Sequence, residues 1–178
     1  KIIKIKKIGH AGTLDPLASG VLPIALGEAT KTIRFAFDSE KTYLFRINWG
    51  SETVTDDKEG EIINSSIKRP NKRSILEKIK LFKGEIFQKP PIYSAIKTNG
   101  RRAYEVARSG KIPKLKERKI KIYVFNLVKI INKNEAEFFV KCQKGTYIRS
   151  LARDLGKELG VFGHISYLKR ESVGNFFK

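Results

Sequence analysis

The chain has 178 residues, with 37 Lys or Arg against 18 Asp or Glu, and a formal net charge of +19. Its 40% hydrophobic and 31% charged content is that of a folded domain, and no apolar run is long enough for a helix to span a bilayer. One cysteine, Cys142, and two histidines exclude an internal disulfide and a Cys/His zinc cluster.

The length suits one domain, or one domain with an insertion. The opening does not read as a signal peptide, and a lone cysteine suits a reducing compartment, so a cytoplasmic location is expected. There is no methionine, so the chain is read as a fragment with unseen sequence upstream of Lys1. The excess of positive charge attracts a polyanion, nucleic acid first; the alternative is solvated lysine that reflects codon usage alone.

The opening run KIGHAGTLDPLASGVLPIALGEATK (7–31) packs glycines, a histidine and a Pro-flanked aspartate ahead of an apolar segment. Asp15 precedes Pro16, so on the residues alone it reads as a turn-former, with a catalytic carboxylate as the alternative. Residues 28–38 predict a helix with Ala29, Ile33, Ala36 and Phe37 on one face. A strand follows over 41–50, closed by Gly50. Residues 51–60 are a polar loop or hairpin tip, where Asp56-Asp57 is expected to be solvated turn chemistry. Ser74 and Glu77 form a capping box for a helix carrying Ile75, Leu76, Ile79 and Phe82, stopped at Gly84.

Asn99-Gly100 predicts a hairpin pairing 92–97 with 101–104, and a short helix around Tyr104–Arg108 ends at Gly110. A long strand covers 119–131. In 135–142, Ala136, Phe138, Val140 and Cys142 alternate with Glu135, Glu137, Phe139 and Lys141, a half-buried strand. Residues 147–159 give the clearest helix: Ile148, Leu151, Ala152, Leu155 and Leu159 share one face, while Arg149, Arg153 and Lys157 share another that would ordinarily be solvated. HISYLKR and SVGNFF read as two short strands. With no regular βαβ alternation, the fold class is α+β, a mixed, largely antiparallel sheet flanked by a few helices.

Familiar catalytic motifs are missing. The opening glycines match neither phosphate-binding signature, and no G-x-S-x-G elbow supports a triad of His10, Asp15 and Ser19. No second carboxylate stands in a setting comparable with that of Asp15, so paired-carboxylate glycoside hydrolysis has no support.

Three further stretches bear on Asp15. DSEKTYLF places Tyr43 near a strand start, KGTYIRSLARDLG places Tyr147 and Arg149 where a Gly-Thr turn enters a helix, and ISYLKR places Leu168 two residues before Arg170. With the opening motif and PPIYSAIKTNGRRAYEVARSG, these resemble, in order and over nearly the whole chain, the catalytic domain of bacterial TruB-type tRNA pseudouridine synthases. That family isomerises uridine 55 in the tRNA T loop. Its upstream strand with a Lys-Pro-x-Gly-x-[Ser/Thr]-Ser segment and the C-terminal RNA-binding region of many members lie outside this chain.

The resemblance implies the pseudouridine synthase fold over 1–178, with 85–115 as an RNA-contacting hairpin and helix. It implies an isomerase that breaks the N1–C1′ bond, turns the base and rejoins it through C5. Every atom is retained, so neither cofactor nor metal is expected. Asp15 matches the catalytic carboxylate, Arg149 its ion-pair partner, and Tyr43 the residue that stacks on the flipped base and could accept the C5 proton. His10 matches the histidine that aids flipping, and Tyr147 and Leu168 match pocket walls. Lys31, Arg101, Arg102 and Arg108 are expected phosphate contacts. The expected partner is tRNA alone, bound by a monomer without a membrane or an accessory protein. A guide-RNA-directed pseudouridylase and a non-catalytic RNA-binding or RNA-folding module are the rival readings.

Overall fold

Period-two alternation dominates the middle of the chain, and the strands it predicts assemble into one sheet. The computed structural model describes residues 6–177. In chain order it has β1 (Ile8–His10), β2 (Ser19–Gly20), β3 (Ile24–Leu26), a 3-10 turn (Gly27–Lys31), α1 (Ile33–Asp38), β4 (Lys41–Trp49), β5 (Ser51–Thr53) and β6 (Ile62–Ser65). Then come α2 (Lys72–Lys78), a 3-10 turn (Ile79–Phe82), β7 (Gly84–Gln88), β8 (Lys97–Thr98), β9 (Arg101–Arg102) and α3 (Ala103–Arg108). The chain closes with β10 (Arg118–Asn132), β11 (Glu135–Cys142), α4 (Ile148–Glu158), β12 (Gly163–Val173) and β13 (Phe176–Phe177).

The main sheet runs β13-β12-β4-β11-β10-β7 with antiparallel neighbours, and β2 pairs parallel to β12. This is the α+β, mixed and largely antiparallel architecture expected. Tyr43, Phe45, Ile47 and Trp49 of β4 and Ala136, Phe138, Val140 and Cys142 of β11 all point into one core. Phe45 stacks on Phe138 and Phe125 with ring centroids 5.6 and 6.0 Å apart. The apolar face of α4 adds Ile148, Leu151, Ala152 and Leu155. Each such side chain stabilises the fold by about 1.5–3 kcal/mol when fully buried.

Asn99 and Gly100 have φ of 49° and 81° and join β8 to β9, though each strand is only two residues long. The helix expected over 28–38 is two short pieces with no buried residue, because the Thr30 and Thr32 hydroxyls donate to the Gly27 and Ala29 carbonyls within the break. Helix α2 is capped by Asn71, whose Oδ1 accepts from the Ser74 amide at 2.9 Å, so Ser74 sits inside the first turn and forms no capping box with Glu77. Gly84, at φ 88° directly after the Lys83 cap, ends the helical stretch as expected and opens β7. HISYLKR and Ser172-Val173 are one continuous strand, β12, whose length is set by pairing along β4. Strands β1, β2 and β3, unforeseen in the opening motif, pair through backbone groups with little apolar alternation to betray them.

Helix α4 docks on β12 at a close backbone approach. A Cβ added at Gly156 would lie 2.7 Å from the Gly163 nitrogen and 3.1 Å from the Phe162 carbonyl carbon. Gly-to-Ala inside a helix ordinarily stabilises it by about 1 kcal/mol. Here Gly156→Ala is expected to destabilise the protein by roughly 1–3 kcal/mol through forced separation of helix and strand. Denaturant unfolding of the variant gives the sign directly.

Candidate active site

The segment from Ala11 to Val21 is held as a rigid loop by contacts a sequence cannot display. The Ala18 amide donates to the Asp15 carbonyl at 2.8 Å, closing a turn with Pro16 and Leu17 at its centre, so Asp15 is a turn residue as its neighbours predict. Beneath the loop lies Arg170, 2% exposed. Its Nε donates to the Val21 carbonyl at 2.8 Å and its Nη2 to the Gly12 carbonyl at 3.0 Å. Gly20, at φ 111°, passes so close to β12 that an added Cβ would stand 2.1 Å from the Arg170 carbonyl oxygen. Only glycine fits there.

The loop presents Asp15 to Arg149, the second residue of α4. Arg149 Nε donates to Asp15 Oδ2 at 2.8 Å and Nη2 to Oδ1 at 2.9 Å, a two-pronged pair that fixes the carboxylate plane. The guanidinium also donates to the Thr55 carbonyl at 3.0 Å and the Tyr93 carbonyl at 3.1 Å, and its Nη1 lies 3.6 Å from Asp57 Oδ2. Arg149 is 6% exposed, whereas the Asp15 side chain keeps 30% of its surface open. The carboxylate is thus gripped from one side and free on the other.

The open side faces a cavity of about 770 Å³ whose walls include Tyr43 of β4, Tyr147 before α4, Leu168 of β12 and Arg108 of α3. Burial pushes the Tyr43 phenol up to about 12, with the nearby Arg170 guanidinium opposing, so the ring is neutral at neutral pH. Burial also raises the Tyr147 phenol, opposed by the adjacent Ser94 hydroxyl and the charges of Arg118 and Arg149. Lys41 at the cavity edge is pushed down by burial and by Arg170, and its ammonium donates to the Phe37 and Ser39 carbonyls at 2.8 and 2.9 Å.

Of the residues singled out from sequence, Asp15, Tyr43, Tyr147, Arg149, Leu168 and Arg108 meet at this cavity. His10 is exposed on β1 and Lys31 is exposed beside Glu28; neither lines the cavity. Arg101 and Arg102 are exposed on β9, and the Arg102 guanidinium is engaged with the Ala95 carbonyl at 2.9 Å. Arg170, Lys41, Asp57 and Ser94 were missed as site residues. Arg170 occupies one step of an alternating strand, and no local pattern marks it as buried.

The Asp56-Asp57 pair corrects its reading as solvated. Both are buried, 6% and 3% exposed. Asp57 Oδ1 accepts from Thr55 Oγ1 at 2.6 Å and the Glu59 amide at 3.0 Å, which is the expected turn chemistry, but the turn is tucked under α4 against Arg149. Asp56 pairs with Arg153 at 2.9 Å. The face of α4 carrying Arg149 and Arg153 is therefore an ion-pairing interface, and a second carboxylate does share the setting of Asp15. Among the described residues no cluster of His, Cys, Asp or Glu is arranged to hold a metal, and no helix is long and apolar enough to cross a membrane.

The site is thus a two-pronged Asp–Arg pair, its arginine buried and its aspartate half-open, reached from a Gly-rich loop and walled by two tyrosines and a leucine. In comparison with known proteins, the TruB family pseudouridylate synthase N-terminal domain matches residues 1–148. The chain belongs to the TruB family.

Relatives within the TruB family include the tRNA pseudouridine synthase B of Bartonella henselae, 52% identical over 171 residues that make up 96% of this chain and 54% of that protein. The protein of the same name from Anaplasma marginale is also 52% identical, over 96% of this chain and 56% of its own length. The chain spans about half the length of these curated relatives. Among solved structures, a Cbf5-Nop10-Gar1 complex matches with TM-score 0.72 and 31% identity, over 98% of this chain and 42% of the other. An H/ACA RNP bound to a substrate RNA containing 2′-deoxyuridine matches with TM-score 0.69 and 28% identity, over 98% and 41%. The pseudouridine synthase fold is thereby shared beyond the bacterial relatives.

Asp56 supplies a pH test of the interface under α4. Burial raises its carboxyl from 3.8 to about 6, with Arg153 and Arg149 opposing. A folded-state value above the unfolded one means the folded protein holds the proton more tightly. The associated stability is present below about pH 4 and is lost as pH rises through about 6, by up to about 3 kcal/mol. Denaturant unfolding across this range is expected to show the wild type losing stability relative to Asp56→Asn between pH 4 and 6, with a constant difference above pH 7.

Proposed function

We propose that this TruB-family chain carries the catalytic site of a tRNA pseudouridine synthase that isomerises uridine 55 of the T loop. The observation that carries the reading is the Asp15 carboxylate, clamped by Arg149 on one side and open on the other to a cavity of about 770 Å³. Isomerisation needs an ionised carboxylate against the sugar or base, and it needs little else, since no atom enters or leaves. The uridine must first leave its stack to expose C1′ and C5. Tyr43 then offers a neutral aromatic face to the base, and Leu168 and Tyr147 complete the walls.

His10, Lys31, Arg101 and Arg102, outside the cavity, are assigned to the surrounding RNA: His10 to the distorted T loop and the three cations, with Arg108 at the rim, to phosphates. The segment 85–115, bearing the β8–β9 hairpin and α3, is the RNA-contacting insertion. Its Tyr93, Ser94, Ala95, Ile96, Tyr104 and Arg108 line the cavity that holds Asp15. The high identity to proteins named tRNA pseudouridine synthase B favours a stand-alone cytoplasmic tRNA enzyme over a guide-directed one, although the matched solved structures come from multi-protein complexes. The open face of Asp15 favours catalysis over a purely structural RNA-binding role.

The test is release of tritium from C5 of uridine in unmodified tRNA. The wild type is expected to release it without guide RNA, and Asp15→Asn to lose release while retaining tRNA affinity within a few-fold. Release that persists in Asp15→Asn, or that needs added guide RNA, would contradict the proposal.

A further inference from the structure

Among the described residues, one buried side-chain polar atom is left without a hydrogen-bond partner: Ser94 Oγ. Ser94 is 3% exposed, yet it lies in the wall of the cavity that contains Asp15. Buried hydroxyls are almost always paired, so an idle one at a cavity wall calls for a partner from outside the protein.

The idleness does not come from a loosely placed segment. Four successive carbonyls around Ser94 are engaged. Arg149 Nη2 donates to the Tyr93 carbonyl at 3.1 Å, the Tyr104 amide to that of Ser94 at 3.1 Å, Arg102 Nη1 to that of Ala95 at 2.9 Å, and the Ala103 amide to that of Ile96 at 2.8 Å. The backbone is thus tied to α4 on one side and to α3 on the other, and only the hydroxyl is unused. The Tyr147 phenol is its polar neighbour, near enough for the Ser94 hydroxyl to oppose the rise of that phenol, yet the two do not meet the geometry of a hydrogen bond. Rotation about χ1 re-aims a serine hydroxyl without moving the backbone.

We infer that Ser94 is a substrate-contacting residue whose hydroxyl donates a hydrogen bond to an oxygen of the nucleotide bound beside Asp15. The inference rests on the isomerase reading above and extends it to a residue outside the set taken from sequence. Because Tyr93, the preceding residue, is bonded to the same guanidinium that holds Asp15, the Ser94 contact ties the nucleotide to the Asp15–Arg149 pair through one residue of backbone. A hydroxyl that is unpaired before binding and paired after it contributes to the complex and not to the free fold.

That asymmetry sets the test. Thermal unfolding, tRNA affinity and C5-tritium release are measured for wild type, Ser94→Ala, Tyr147→Phe and the double variant, with Asp15→Asn as the inactive control. Ser94→Ala is expected to melt at or above the wild-type temperature while its kcat/KM on tRNA falls roughly three- to tenfold, and to cause the same fall in the Tyr147→Phe background. A lowered melting temperature would show that the hydroxyl serves the free fold and would overturn the inference, as would unchanged kcat/KM. A fall that vanishes in the Tyr147→Phe background would assign Ser94 to Tyr147 rather than to the nucleotide, with the same consequence. No release from the wild type would overturn the isomerase reading and this inference together; normal wild-type release with an unaffected Ser94→Ala would overturn this inference alone.

Discussion

A single guanidinium holds together the parts of this molecule that have to meet. Arg149 is nearly sealed from solvent and contacts two carboxylates and two backbone carbonyls, drawn from the Asp15 loop, the β5–β6 turn and the segment before β8. A buried cation is costly unless its hydrogen-bonding capacity is met, and removing one partner of a buried pair costs about 3–5 kcal/mol. The four contacts are therefore mutually dependent. Each acceptor is needed to keep the guanidinium buried, and the guanidinium fixes each acceptor in place. Arginine's planar fork makes the arrangement directional in a way a lysine ammonium would not.

Arg170 performs the complementary task. It is as deeply buried as Arg149, but its hydrogen bonds go to the carbonyls of Gly12, Thr13 and Val21, with no carboxylate among them. The Asp15 loop is thus shaped from below by Arg170 and gripped at its tip by Arg149. Gly20 allows the loop to lie directly on the backbone of β12. The result is a carboxylate whose position is set by two strands of the sheet and one helix, rather than by the flexibility of a surface loop. The sheet supplies the rigidity that the catalytic role proposed for Asp15 needs.

Much of this was legible in the sequence, but unevenly. The alternation in KTYLFRINW and EAEFFVKC shows the core directly, since every second side chain must face the same way. The apolar stripe of α4 is equally plain. Asp15 and Arg149 were found only because their surrounding motifs resemble a known family; neither residue's spacing says that 134 positions of chain separate two hydrogen-bonded partners. Asp57 and Arg170 were misread or passed over for one shared reason. An acidic pair in a polar loop and a basic residue near a strand end look solvated, and only the tertiary packing of α4 and of the opening loop buries them. Ser94 shows the same limit more sharply, because an unpaired hydroxyl is a property of everything around it.

On the proposed reading, the fork of Arg149, beyond its charge, holds Asp15 in reacting position. Arg149→Lys keeps the charge and removes the second prong. The most direct measurement is the single-turnover rate of C5-tritium release at saturating protein, set beside tRNA affinity. A rate at least about a hundredfold lower is expected, with affinity within a few-fold of wild type. An unchanged single-turnover rate would contradict this reading, as would a loss confined to affinity.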